Sequence, residues 1–275
     1  MDLSRSIEVF NPEVLNDEIH IIGVGATGSF VLQTLVRFGV KKIHIYDMDK
    51  YEIHNVNNQS IFQSSCEKQK VNAQVELCKE INPEVEIIAH DQLVTPENIA
   101  DMSGYVFLLV DSMKCRKELF EAIKKNEKIK WYWESRLGSD QGRVYCLPIN
   151  KDFDYSKYET MHFYSDDSAE MSACGTSITI VSIVLSVAAL MVNQFIKVVM
   201  NELDKEPYLN NFTLFDNMYN VYTENFNQEK IKQVEEITDE LILWKKIKKD
   251  LIWTSIKIYN INVKSWEKKK LLRKK

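Results

Sequence analysis

The sequence is poor in the features that mark a secreted or metal-stapled protein. Its five cysteines, Cys66, Cys78, Cys115, Cys146 and Cys174, are odd in number and scattered, with no C-x-x-C pair. Neither a disulfide framework nor a four-cysteine zinc site is signalled, so no structural zinc is expected. Such a set suits a reducing compartment, and a cytoplasmic location is expected. No apolar N-terminal stretch with a cleavage site is present, which gives no reason to expect secretion. The five histidines, His20, His44, His54, His90 and His162, are dispersed and lack H-E-x-x-H spacing, so a catalytic zinc is not expected either. Internal repeats are absent.

Positive charge is scarce over most of the chain. Residues 227–275 hold 14 Lys/Arg and 7 Asp/Glu, a balance of +7, whereas the whole chain carries −5. The remainder therefore carries −12, which argues against a nucleic-acid surface on the main body. The basic end, densest from Lys264 to Lys275, reads as a solvated extension or as a docking segment for an acidic partner or nucleic acid.

What is present is a full core and an alternating pattern. Hydrophobic residues make up 45% of the 275 and aromatics 11%, enough for one large domain or a domain with a tail. Glu18–Ile22 reads as a buried strand, a helix follows from about Ser29 to Phe38, and Lys42–Tyr46 is a second strand. A helix over Gln69–Ile81 stops before Pro83. Strands are expected at Val85–Ala89, Tyr105–Val110 and Lys130–Trp133, with a helix near Lys114–Asn126. This alternation predicts an α/β fold, a mostly parallel sheet with helices on both faces. Arg143–Leu147 is a further strand. Two short runs, Phe212–Phe215 and Val221–Thr223, flank an Asp216-Asn217 turn and form a small antiparallel extension. Asn150–Ala173 is acidic, aromatic and without period, so it is expected to be a structureless, mobile crossover segment. Met171–Ile196 contains no charge and is long enough to cross a bilayer. Its interspersed Ser, Thr, Asn and Gln, and its place late in an α/β pattern, point instead to a core helix and to no membrane association. The expected organisation is a domain over residues 1–226 and a basic C-terminal extension over 227–275, helical at first.

Gly23-Val24-Gly25-Ala26-Thr27-Gly28 is a G-x-G-x-x-G between strand and helix. Its first two glycines permit a tight turn and close approach to phosphate, its third permits close helix–strand packing, and the helix N-terminus offers N–H donors to an anion. Asp47 lies 19 residues beyond Gly28, at a strand end where a carboxylate can bind ribose hydroxyls. These features predict a Rossmann-like nucleotide site but do not choose between NAD and ATP.

The run Asp47-Met48-Asp49-Lys50-Tyr51-Glu52-Ile53-His54-Asn55-Val56-Asn57-Asn58-Gln59 resembles the aspartate-rich and asparagine-rich segment of the ThiF/MoeB/ubiquitin-activating-enzyme family. In the same order follow Lys70-Val71 at a helix start, Ile81-Asn82-Pro83, Val110-Asp111-Ser112 with Arg116, and Cys174 before an apolar helix ending Phe195-Ile196-Lys197. The resemblance runs from about Ser4 to Thr223. Glu134–Arg143 and Ser165–Gly175 look like compact, stand-alone members from phage and bacterial genomes.

The resemblance implies adenylation of a carboxylate, with ATP and Mg²⁺ bound by this domain. The substrate it implies is the C-terminus of a small ubiquitin-like or sulfur-carrier protein. Gly23, Gly25, Ala26, Thr27 and Gly28 match the phosphate loop and Asp47 the ribose-binding aspartate. Asn55 and Lys70 match phosphate-contacting residues, Asp111 the magnesium ligand, and Asp49 and Gln59 accompany them. Plainer readings stand beside these: Asp49 as a loop cap, Asn55 as turn chemistry, and Lys70 as part of a solvated face with Lys68 and Lys79. Cys174 matches a position that takes the acyl group as a thioester in some relatives, or is a small packing residue. Arg5, in Leu3-Ser4-Arg5-Ser6-Ile7, faintly resembles an arginine that reaches across a homodimer.

The chain departs from the pattern at Asn58, where the family has an arginine, and in lacking the C-x-x-C zinc pairs. Arg116 and Arg136 are candidate substitutes for the missing cation. Other functions remain open at this stage: activation of a peptide, small-molecule or RNA-linked carboxylate, or a non-catalytic nucleotide-binding module. An NAD-dependent oxidoreductase leaves Lys70 and Asp111 unexplained.

Overall fold

The computed structural model describes residues 1–138, 141–161, 179–200, 212–216 and 221–224. Four short strands, β1 (Ile19–Ile22), β2 (Lys42–Tyr46), β3 (Glu86–His90) and β4 (Gly104–Leu108), are joined to β5 (Ile129–Leu137) in a parallel array. β6 (Gln141–Pro148), β7 (Phe212–Asp216) and β8 (Val221–Glu224) extend it antiparallel. The order is β3-β2-β1-β4-β5-β6-β7-β8, so the mostly parallel sheet with an antiparallel extension is as expected.

Side-chain alternation explains the layers. On β4, Tyr105 and Phe107 enter one core with α1 (Ala26–Arg37), α2 (Lys70–Ile81) and α6 (Val181–Val199). Val106 and Leu108 enter the other with α3 (Pro96–Ile99), α4 (Met113–Ile123) and α5 (Ser156–Met161). The period of two sends successive residues to opposite faces, and both faces are covered, as a parallel sheet requires.

α6 is long and apolar enough to span a membrane by composition, yet half of it is buried inside the fold. Its Phe195 packs edge-on against Trp133 at 5.6 Å, and Trp133 stacks on Phe107 at 4.9 Å; each such pair adds roughly 0.5–1.5 kcal/mol beyond area burial. The segment expected to be structureless contains a helix, α5. Six residues are too few to show a 3.6-residue period, but Tyr158 is fully buried and anchors the turn. The rest of that segment from residue 162, Cys174 just after it, and the extension over 227–275 lie outside the described residues.

Three of the dispersed histidines, His20, His44 and His90, are brought together by strand register. His20 sits opposite His44, and Tyr46 opposite His90. His20 Nδ1 lies 3.0 Å from the Tyr46 hydroxyl, His44 Nδ1 lies 3.2 Å from His90 Nε2, and Glu18 approaches His20 Nε2 at 3.5 Å. Burial, aided by the His44 charge, pushes His20 down to about 4 despite Glu18. A buried imidazole whose pKa falls below its unfolded value binds its proton later than the unfolded chain does, so stability is lost as pH falls from about 6.5 towards 4. Glu18, held low chiefly by the Ser103 hydroxyl, acts in the same direction at the acid end of that window. Urea midpoints should drop across it by the equivalent of about 3 kcal/mol from His20, and the slope should flatten in His20→Phe. A flat profile in the wild type would rule out a neutral buried His20.

Candidate functional site

The site lies at the carboxyl edge of the sheet between β1 and β4, where the helix from β1 leaves to one face and that from β4 to the other. Such a switch point leaves a crevice that ligands occupy. Gly23 follows β1 with φ +92°, and a Cβ there would stand 2.8 Å from the Leu109 carbonyl oxygen. At Gly28 a Cβ would meet the Gly23 carbonyl oxygen at 2.0 Å, so glycine is what lets α1 seat against the turn. Gly25 differs. Its Cβ position is open, with only Gln59 Oε1 at 3.9 Å, which is the space a phosphate approaching the helix N-terminus needs. Ala26 opens α1, three residues before the expected start, because the glycine motif itself forms the first turn. Thr27 is buried and receives a hydrogen bond from the Ser135 hydroxyl at 3.3 Å.

Asp47, directly after β2, accepts hydrogen bonds from the amides of Val24 at 2.9 Å and Asp49 at 3.0 Å. Burial raises its pKa against the pull of Lys70. Lys70 begins α2, with Nζ 2.9 Å from Asp49 Oδ2 and 3.9 Å from Asp47 Oδ1. A cation at a helix N-terminus opposes the helix dipole, and its side chain is only 11% exposed. Lys68 and Lys79 instead pair outward with Glu76 and the Pro83 carbonyl. The solvated-face reading of Lys70 therefore fails, while Asp49 is more than a loop cap.

Asn55 is buried in a 3-10 turn (Ile53–Asn57), where its Oδ1 accepts from the Glu52 amide at 2.9 Å in a capping box. Turn chemistry thus uses the oxygen, and the Nδ2 donor is the end available to a ligand. Gln59 Oε1 is buried without a hydrogen-bond partner beside Gly25. Asp111 is exposed, two residues beyond Leu109 and just before Ser112, the N-cap of α4. Among the described residues no group of three metal-ligating side chains forms. One carboxylate at this edge nevertheless suits Mg²⁺, which keeps waters and shares phosphate oxygens.

Asn58 hydrogen-bonds Thr179 Oγ1 just before α6, a structural tie where a phosphate-facing arginine was expected. Arg116 and Arg136 do not replace that arginine: both are buried on Glu134, at 2.8 and 2.5 Å. Arg5 is exposed in a turn whose neighbour Leu3 packs at Gly39, past the far end of α1. A 12-residue helix is about 18 Å long, so Arg5 is not brought to the glycine turn of its own chain.

Sequence reasoning missed the scaffold under the turn. Tyr51 is fully buried and donates to the Val24 carbonyl at 2.8 Å, while Gln74 donates to Tyr51 at 2.9 Å. Gln33 reaches Gln74 at 3.1 Å and the Ser60 carbonyl at 2.7 Å. Glutamines on the apolar faces of α1 and α2 were the available signal, since buried amides need partners.

Part of the chain is similar to known proteins. A tRNA threonylcarbamoyladenosine dehydratase of Haemophilus influenzae is 32% identical over 114 residues, 40% of this chain and 44% of that protein. Ubiquitin-like modifier-activating enzyme 5 of Branchiostoma floridae is 34% identical over 96 residues, 34% of this chain and 24% of that one. The chain thus spans less than half the length of these curated relatives. The structure of Escherichia coli MccB with ATP superposes with a TM-score of 0.60 at 16% identity, covering 78% of this chain and 65% of that chain, a likeness of fold. The model describing the ThiF family matches residues 7–235, well over half of the sequence, and the protein belongs to the ThiF family.

Proposed function

We propose that the protein uses ATP to adenylate a carboxylate, and that the carboxylate is the C-terminus of a small ubiquitin-like or sulfur-carrier protein. The observation that carries this reading is Lys70, held by Asp47 and Asp49 at a helix N-terminus beside the glycine turn. In the reaction, a carboxylate oxygen attacks the α-phosphorus, the bond to the bridging oxygen breaks, and pyrophosphate leaves with its electron pair. The acyl-adenylate remains. Lys70 supplies charge to the triphosphate as it develops, and Asn55 supplies a donor. Asp47 takes the ribose, and Gln59 flanks the loop. Asp111 would hold Mg²⁺, whose charge neutralises phosphate oxygens. Attack of the Cys174 sulfur on the acyl carbon, forming a thioester as AMP leaves, a homodimer in which Arg5 serves the other copy, and a cytoplasmic location complete the proposal.

An RNA-linked carboxylate is the second reading, favoured by the similarity to a tRNA-modifying dehydratase. The charge of −12 outside residues 227–275 supports the protein substrate over a polyanion. Exchange of labelled pyrophosphate into ATP separates them. It is expected with a small carrier protein ending in glycine and not with a carboxylate-bearing RNA. Exchange with the RNA alone would reverse the choice, and exchange with neither would refute adenylation of both classes.

A further inference from the structure

We propose that Glu134 is a positioning residue for the reaction at the carboxyl edge: clamped between Arg116 and Arg136, it holds the turn carrying Asp111, the strand end touching Thr27, and helix α5 in one arrangement. The proposal rests on the adenylation reading for its kinetic consequence, but its structural consequence can be measured without turnover.

Glu134 pairs in register with Leu108, and Leu108 with Ile22, so it lies level with the last residues of β1 and β4, two strands from the strand that leads into the glycine turn. Its side chain is fully buried. Oε1 accepts from Arg116 Nη1 at 2.8 Å and from Arg136 Nε at 2.5 Å. Oε2 accepts from the Tyr132 hydroxyl at 2.6 Å and from the Tyr158 hydroxyl. Two of these donors, Arg116 and Tyr158, tie Glu134 to other elements of the edge. Arg116 is one turn into α4, its amide bonded to the Ser112 carbonyl at 3.0 Å, and Ser112 follows Asp111. The same Nη1 donates to the Ser135 carbonyl at 2.6 Å, and the Ser135 hydroxyl reaches Thr27. Tyr158 belongs to α5, which precedes residues 162–178 in the chain.

The charge arrangement supports the same conclusion. Burial alone would raise the carboxyl pKa, but the Arg116 and Arg136 guanidiniums reverse this and hold it down to about 2. Two guanidiniums and one carboxylate in a closed site form an ion cluster that apolar residues of equal volume could replace with little loss of stability, so stability is a weak reason for it. Its directional bonds fix geometry instead, because the Glu134 carboxylate accepts four hydrogen bonds from donors on α4, β5 and α5. Arg136 also lies over the Tyr145 ring at 4.8 Å, which closes the cluster from β6.

The test uses the full chain with two variants. Glu134→Gln removes the carboxylate charge that both buried guanidiniums face, so that chain could fail to fold. Tyr158→Phe is therefore made alongside it, deleting one hydroxyl and keeping the ring. Pyrophosphate exchange, ATP affinity and amide hydrogen exchange are measured together on folded protein. In Tyr158→Phe, kcat should fall at least tenfold while the Kd for ATP stays within about twofold. Residues 111–116 and 156–161 should exchange faster than in the wild type, with bound ATP failing to restore their protection. Wild-type kcat in folded Tyr158→Phe, or unchanged amide exchange at both segments, overturns the proposal. If the wild type itself shows no pyrophosphate exchange, the adenylation reading is what has failed, and amide exchange alone decides whether Glu134 organises the edge.

Discussion

Gly28→Ala is expected to abolish nucleotide binding and to lower the midpoint of thermal unfolding by about 6–15 °C. The added methyl would lie 2.0 Å from the Gly23 carbonyl oxygen and 2.9 Å from its carbon. Both are backbone atoms, so no rotamer change relieves the clash, and α1 must back away from β1. Overpacking usually costs about 1–3 kcal/mol, and a clash with backbone that no rotamer relieves is placed above that range, at roughly 3–4 kcal/mol; each kcal/mol shifts the midpoint by about 2–4 °C in a domain of this size. Gly25→Ala provides the contrast. Its methyl meets only the Gln59 amide at 3.9 Å, so the fold should tolerate it, whereas ATP affinity should fall at least tenfold because the methyl fills the phosphate approach. Circular dichroism melts and nucleotide titrations check the pair. A Gly28→Ala protein melting at the wild-type temperature would falsify the packing account.

Lys70→Ala should reduce pyrophosphate exchange by about 10²–10³-fold, the loss typical when one preorganised group facing developing charge is removed. Stability should barely change. The 2.9 Å contact is to Asp49, whose side chain is 59% exposed, and an ion pair to so exposed a carboxylate contributes about 0–1 kcal/mol. Asp47 bears the larger local effect, since it loses the charge that opposes its burial. Arginine at position 70 should rescue only partly, because a planar fork does not reproduce a point charge. Exchange within threefold of wild type in Lys70→Ala, at unchanged melting temperature, would remove Lys70 from the reaction.

Much of the frame was legible along the chain. Lys42–Tyr46 is a strand at the predicted ends, and α2 begins one residue from its predicted start, because apolar spacing and Pro83 are local signals. Strand ends elsewhere move by one or two residues, and β5 runs on to Leu137 because pairing with β6 continues past the parallel ladder. The position of α1 was misjudged since Gly28 looks unfavourable inside a helix, although here its missing side chain is what the helix–strand contact requires. Of the site, the glycines and Asp47 could be named because they fall at a strand end and a helix start, positions that sequence pattern reveals, and Lys70 and Asp111 because the motifs around them resemble those of the family.

The sequence by itself determined the alternation of strands and helices and the glycine turn, because these depend on periodicity and on the conformational freedom of particular residues, while Lys70 and Asp111 were named from the family resemblance. Only the tertiary structure decided which distant groups meet. Strand register places His20 against His44, helix α4 carries Arg116 onto Glu134 eighteen residues away, and the entry to α6 brings Thr179 to Asn58 across 121 residues. Those pairings follow from strand order and from which face of the sheet each side chain is turned to, and both are set when the whole sheet assembles rather than by any short stretch of the chain.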